Sequence, residues 1–341
     1  MVLPAAFDTY KHALDTALKS VFEDRDLGLY QMQRYHIGWI DTDGNPYNGQ
    51  GKGIRPLMCL LSCEAAGGDW HNALPAAAAI ELVHNFSLIH DDIQDGDIQR
   101  RHRDTVWHVW GLAQGINAGD SMRGLATLTL LKGATPIHSP TKVQEAIEAL
   151  EWASLEMIEG QYLDITYEHN TLIRTNQYLD MISRKTGALI ECSFYLGALL
   201  ATNEVAIIQS LKRLGRQLGL VFQIRDDYHG VWGNEQRLGK PIASDINRKK
   251  MCLPVVYALQ SAKGKDRETL HSIYNNCKPS TTREVEEVLR ILEKVKAKDY
   301  CQTVAQEQCD KVYIELDALH LELRMDSQIR ELASFFLERE Y

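Results

Sequence analysis

The sequence predicts an all-α fold, and three observations carry that expectation. Apolar residues recur at intervals of three and four along almost the whole chain, the alternation that marks a half-buried strand is nearly absent, and the breaks are short runs of glycine, proline and polar turn residues. At 341 residues the chain is long enough to bury a sizeable core, and none of the breaks reads as an interdomain linker, so a single domain over residues 1–341 is expected.

In chain order, the periodic stretches predict helices over Pro4–Phe22 and Leu27–Trp39, then a break at Asp41–Gly53 (DTDGNPYNGQGKG). Helices follow over Ile54–Ala66, Ala73–Asp95 and Ile116–Leu131, up to the glycine- and proline-bounded break Gly133–Pro140. Next come Lys142–Tyr167, Thr175–Thr186, Leu189–Ala201 and Glu204–Val231, and then the basic break Gly233–Lys249. The remainder predicts Leu253–Ser261, Arg267–Asn275, Thr282–Ala297, Tyr300–Leu323 and Ser327–Arg339, with a polar break at Lys278–Ser280. No internal repeat interrupts this order.

A net charge of -9 argues against a nucleic-acid binder, which needs a basic face, so an anionic substrate must be held by local basic residues. Seven cysteines occur without a CxxC pair; Cys59 and Cys63, one turn apart in an apolar run, read as buried thiols and not as zinc ligands. A reducing, cytoplasmic location fits. The start, MVLPAAFDTYKHALD, lacks a basic segment followed by an apolar one, and no apolar run is long enough to span a membrane.

The chain is organised around Glu81–Arg101, ELVHNFSLIHDDIQDGDIQRR. Leu82, Phe86 and Ile89 give this helix an apolar face, and Asp91, Asp92 and Asp95 then arrive together. Asp91 and Asp95 are four residues apart, one above the other, and would repel each other without a cation. Carboxylates on a rigid helix suit Mg²⁺, which keeps several waters and bridges to substrate phosphates. Arg100 and Arg101 follow, suited to bidentate phosphate contact. Alone, such a cluster reads more readily as a solvated helix end. A second acidic pair, Asp226 and Asp227 in FQIRDDYHG, again closes an apolar helical run, and opposed carboxylate-bearing helices are how helical bundles build metal sites.

LIHDDIQDGDIQRR, FQIRDDYHG and GKPIASD resemble, in order, the motifs of the trans-isoprenyl diphosphate synthases, or polyprenyl synthetases, and the chain is similar to that family from about Arg34 to Pro254. The resemblance implies a single large helical bundle of the isoprenoid synthase type with a central active-site cavity. It also implies a Mg²⁺-dependent prenyltransferase that condenses isopentenyl diphosphate with an allylic diphosphate, and a homodimer. Asp91, Asp92, Asp95 and Asp226 would hold Mg²⁺, and Gly230 stands where the family's commonest form has a third aspartate. Lys52, Arg55, His84 and Arg101 would hold isopentenyl diphosphate, with Gly53 in place of a usual arginine. The allylic diphosphate would draw on Arg100, Lys185, Thr186, Gln223, Lys240 and Lys250. Gln161 and Asp164 would orient those groups, while Asn117, Gly119 and Asp120 belong to a structural segment. A helix break before Gly187 would leave the Thr186 carbonyl facing the allylic cation.

The loop Gly233–Lys249 reads as a basic lid carrying Lys240, Asp245, Arg248 and Lys249, with Lys250 next to it. Phe86 and Ser87, just before Asp91, are the expected floor of the chain-growth pocket; one aromatic there is similar to geranylgeranyl diphosphate synthases, with a farnesyl product the near alternative. Two rivals remain: a class I terpene cyclase, which needs no second diphosphate site, and an inactive partner subunit, which needs no intact aspartates.

Overall fold

In the computed structural model, which describes residues 4, 7–168, 170–233, 243–276 and 278–338, the helical periodicity is realised as helix almost throughout. The chain begins with α1 (Asp8–Ser20), α2 (Gly28–Ile37), α3 (Ile54–Ala65) and α4 (Leu74–Gln94), with a 3-10 turn at Trp70–Ala73 before α4. A short antiparallel hairpin, β1 (Gln99–Arg100) and β2 (Arg103–Asp104), leads into α5 (Val106–Trp110), α6 (Leu112–Ala134) and α7 (Pro140–Tyr167). Then come α8 (Thr175–Ile182), a π-helical turn at Ser183–Gly187, α9 (Ala188–Ala201) and α10 (Val205–Trp232). The last helices are α11 (Ser244–Asn247), α12 (Leu253–Ser261), α13 (Gly264–Tyr274), α14 (Thr282–Lys294), α15 (Ala297–Leu319) and α16 (Leu323–Glu338).

Departures from the expected boundaries have local causes. Expected to run to Ala297, α14 stops at Lys294, and α15 ends at Leu319 instead of Leu323, because Lys296 and His320 take left-handed φ of 56° and 49°. The expected break near Thr186 is a π turn joining α8 to α9. The hairpin and α5 were not foreseen.

The contacts divide the chain into two compact units. One comprises the described residues of Ala5–Ser154 and Cys192–Leu211. Its centre is α4, whose Ala76, Ala77, Ala78, Ala79, Ile80 and Leu82 are all buried; a helix apolar on every side must be surrounded, and its short alanines let neighbours come close. The other unit comprises the described residues of Leu155–Glu191 and Lys212–Tyr341, with Pro4. Its core joins Tyr178, Ile224, Leu253, Val256, Ile291 and Ala305. Cys59, Cys63, Cys192, Cys252, Cys301 and Cys309 are buried free thiols, and burial pushes the Cys63 thiol up to about 12, as befits packing groups. No described helix is long and apolar enough to cross a membrane.

Candidate active site

The first group of candidate residues lies in the unit built on α4. That helix ends at Gln94, one residue earlier than expected, so Asp95 is its C-cap. Asp95 nevertheless keeps right-handed helical angles and its N–H donates to the Asp91 carbonyl at 2.8 Å, which holds it one turn beyond Asp91 on the same face. Both side chains reach solvent. Asp92 points elsewhere and is 1% exposed. Arg100 Nε donates to its Oδ1 at 2.6 Å, while Oδ2 is buried with no hydrogen-bond partner. Burial raises the Asp92 carboxyl to about 6 despite the neighbouring Arg100 guanidinium.

Basic groups gather from three segments of the same unit. Gly53 caps α3 at φ 57° and ψ 35°, a left-handed conformation that glycine adopts without steric cost. Two residues on, Arg55 Nη1 lies 3.3 Å from His84 Nε2. Arg101 comes from the tip of the hairpin, where it and His102 take φ of 52° and 62°, a tight mirror-image turn built without glycine. A Cβ on Gly51 would lie 2.7 Å from Arg101 Nη2, so the loop bearing Lys52 wraps directly over that guanidinium.

Sequence reasoning missed Arg103, His36 and Glu81 in this cluster. Arg103 anchors the hairpin, with its guanidinium 4.0 Å from the Tyr35 ring centre and 4.3 Å from that of Tyr47, while donating to the Tyr35 and Ile40 carbonyls. His36 lowers to about 3 through burial and the repulsion of Arg100, Arg101 and Arg103, so it is a neutral imidazole among cations. His84 is likewise held well below its usual range by burial and by Arg55, Arg101 and Arg100. Glu81, buried beneath them, is raised by burial while Arg101 and Arg55 oppose the shift. A small cavity lined by His36, Asp92, Arg100, Arg101 and Arg103 opens among these groups. The arrangement concentrates positive charge that can attract an anion.

Phe86 and Ser87 lie on different faces of α4. Phe86 is buried, its ring edge-on to that of His90, whose Nε2 lies 3.3 Å from the Ile116 carbonyl of α6. Ser87 is only partly covered, and its hydroxyl donates to the His84 carbonyl. Asn117 is exposed and bonds Gln114, whereas Gly119 leaves the space that the His90 ring fills.

The second group lies in the other unit. Asp226 is partly exposed on α10. Asp227, 1% exposed, accepts from the Tyr178 hydroxyl, from Leu253 N at 3.0 Å and from Gln223 Nε2 at 3.0 Å. Its oxygens are engaged in bracing helices, and burial raises its carboxyl to about 6. Gln223 in turn accepts from the Thr186 hydroxyl at 2.7 Å. Lys185 Nζ donates to Asp164 at 2.6 Å. Burial pulls the Lys250 ammonium down, but Asp245, Asp227 and Asp164 outweigh it and hold it above the usual lysine range, although water reaches the side chain.

Of the expected basic lid, Gly233 and residues 243–249 are described. Lys249 is 4% exposed and donates to the Asn276 carbonyl at 3.0 Å, Ile246 is fully buried, and Ser280 Oγ bonds the Ile246 carbonyl. This end of the segment is therefore anchored in the core. Lys240 lies outside the described residues. A side chain at position 230 would have to displace the Asp245 carboxylate, which lies against the Gly230 backbone.

Among the described residues no three His, Cys, Asp or Glu side chains converge into a metal cage. Mg²⁺ does not require one, since it keeps most of its waters and needs only one or two carboxylates. The orphaned Asp92 Oδ2 and the stacked Asp91 and Asp95 are donors of the right hard type.

Residues 44–292 match the polyprenyl synthetase family. The chain is 42% identical over 250 residues to a (2E,6E)-farnesyl diphosphate synthase of Mycobacterium bovis, covering 73% of this chain and 68% of that protein. It is similar in structure to a polyprenyl synthetase of Streptomyces coelicolor, with a TM-score of 0.90, 35% identity and coverage of 98% and 99% of the two chains. A geranylgeranyl pyrophosphate synthetase of Pyrococcus horikoshii gives a TM-score of 0.86 at 33% identity, covering 98% of each. Cationic cluster, carboxylate pairs and overall likeness agree: the chain belongs to the polyprenyl synthetase family.

Proposed function

We propose that this chain is a prenyltransferase that joins isopentenyl diphosphate to an allylic diphosphate and releases a product of farnesyl or geranylgeranyl length. The observation that carries the reading is the Asp92 carboxylate, with one oxygen tied to Arg100 and the other buried without a partner. A divalent cation shared with an anionic substrate would complete that arrangement.

In this reading Asp91, Asp92, Asp95 and Asp226 hold Mg²⁺, which when bound neutralises a departing diphosphate. Lys52, Arg55, His84 and Arg101 hold isopentenyl diphosphate; the neutral imidazoles accept or donate hydrogen bonds where a further cation would add repulsion. Arg100, Lys185, Thr186, Gln223, Lys240 and Lys250 serve the allylic diphosphate. Its C–O bond breaks with the electron pair leaving on the diphosphate, and the double bond of isopentenyl diphosphate attacks the resulting allylic cation. A proton is then lost to the released diphosphate. Lysine and arginine stabilise the leaving charge without any proton transfer from the protein.

The family match spans parts of both units, which supports one catalytic domain. A homodimer is supported by an exposed apolar stripe on α7 at Leu155, Ile158, Tyr162 and Ile165. The buried free thiols favour a reducing, cytoplasmic setting.

Incubating the protein with Mg²⁺, labelled isopentenyl diphosphate and each short allylic primer, then sizing the products, tests the proposal. Elongated prenyl diphosphates are expected, and Asp91→Ala should cut turnover by about a hundredfold or more while leaving the fold intact. Conversion of an allylic diphosphate to hydrocarbon without isopentenyl diphosphate would refute the reading in favour of a cyclase.

A further inference from the structure

Lys185 and Thr186 stand on the π turn Ser183–Gly187, and such turns are wider than α-helix and disturb its regular ladder of carbonyl partners. Something must hold the distorted backbone in one conformation if those side chains are to be aimed. The neighbouring helices come very close to it. A Cβ on Gly160 of α7 would lie 2.6 Å from Lys185 Cα, and one on Gly219 of α10 would lie 2.6 Å from Gly187 Cα.

Arg216 of α10 is the side chain that reaches across this junction. Its Nη1 donates to the Ser183 carbonyl at 2.7 Å, at the first residue of the π turn. The same guanidinium pairs bidentately with Glu156 of α7, at 2.9 and 3.0 Å, and its Nε donates to Glu191 in the first turn of α9. The Arg216 side chain is only 18% exposed. One planar, five-donor group thus ties α7, the π turn, α9 and α10 together, a pattern lysine cannot reproduce. Ahead of the clamp, Lys185 Nζ meets Asp164 and the Thr186 hydroxyl meets Gln223.

We propose that Arg216 is a positioning residue, whose clamp on Ser183, Glu156 and Glu191 fixes the π turn and so aims Lys185 and Thr186 at the allylic diphosphate. The proposal rests on the assignment of Lys185 and Thr186 to the allylic substrate. It sets Arg216 apart from a merely stabilising ion pair, which would affect both substrates alike or neither.

Arg216→Lys keeps the positive charge but loses the fork, and it provides the test, read in two ways on the full-length protein. Hydrogen exchange followed by mass spectrometry should show the Arg184–Gly187 amides exchanging about tenfold faster than in the parent, with distant helices unchanged. Steady-state kinetics should show kcat/KM for the allylic diphosphate falling by about 10- to 100-fold, the range expected when a residue that orients a site is removed, while KM for isopentenyl diphosphate stays within about twofold. Unchanged exchange at Arg184–Gly187, or an equal loss toward both substrates, overturns the proposal. If Arg216→Lys does not fold, Glu156→Gln loosens the clamp with Arg216 in place and carries the same two readouts. Were the parent protein to elongate no primer, the functional assignment would fail, while the exchange measurement would still decide whether Arg216 fixes the turn.

Discussion

Asp245 stands where a side chain at position 230 would have to be. A Cβ built on Gly230 would lie 3.0 Å from Asp245 Oδ1 and would overlap Oδ2 and the carboxyl carbon. Gly230 is one turn beyond Asp226 on α10, the position at which the second acidic motif lacks a third aspartate. The carboxylate of Asp245, carried by α11, thus occupies the space beside residue 230.

Gly230→Ala should therefore force Asp245 aside. Because the atoms to be moved are the end of a half-buried side chain, the cost should be about 1 kcal/mol, the low end of the range for overpacking. Denaturant unfolding of Gly230→Ala, Asp245→Ala and the double variant forms a cycle in which the alanine at 230 should be much better tolerated once Asp245 is gone. Additive effects would show that the two residues do not compete for the space.

Gly53→Arg would restore the residue usual in the family, yet it should destabilise this chain. A side chain at φ 57° carries a penalty of about 1–2 kcal/mol relative to glycine. Thermal or denaturant unfolding would detect a loss of that size, and an unchanged or higher stability would mean that the loop relaxes to a right-handed conformation.

His36 links stability to pH. Its folded-state pKa of about 3 lies below the value of about 6.5 for an unfolded chain, so across that interval the unfolded state takes up a proton that the folded state refuses. Stability should fall as the pH drops from about 6.5 towards 3. His36→Asn removes the group, and its acid limb should be shallower than the parent's in denaturant titrations at pH 7, 6 and 5. Parallel limbs would show that His36 protonates freely in the folded protein.

How much of this was legible beforehand depends on the residue. The helices were, because apolar spacing acts over a dozen residues and survives local exceptions. Asp91, Asp95 and Asp226 were legible as acid placed on apolar helices. The hairpin was not, since Arg101 and His102 enter left-handed angles without the glycine or asparagine that would announce a tight turn. Lys249 misled, because two adjacent lysines look solvated while one of them is satisfied inside the core by a carbonyl distant in sequence. Arg216 gave no signal at all: it lies in an ordinary amphipathic stretch, and its partners at 156, 183 and 191 meet it only through the packing of helices.

Product length should respond more to Ser87 than to Phe86. On α4, Ser87 lies four residues before Asp91 and so within about 40° of its direction, whereas Phe86 is about 140° away and packs its edge on His90. A hydrocarbon growing along the Asp91 face would pass the partly covered Ser87 before reaching any part of the buried Phe86 ring. Ser87→Phe should consequently shorten the main product by one isoprene unit or more, and Phe86→Ala should leave a cavity that costs about 3–5 kcal/mol of stability with a smaller change in length. Sizing the prenyl diphosphates made by each variant from the same primer decides the matter. A large lengthening by Phe86→Ala, with no effect of Ser87→Phe, would place the floor on the other face of the helix.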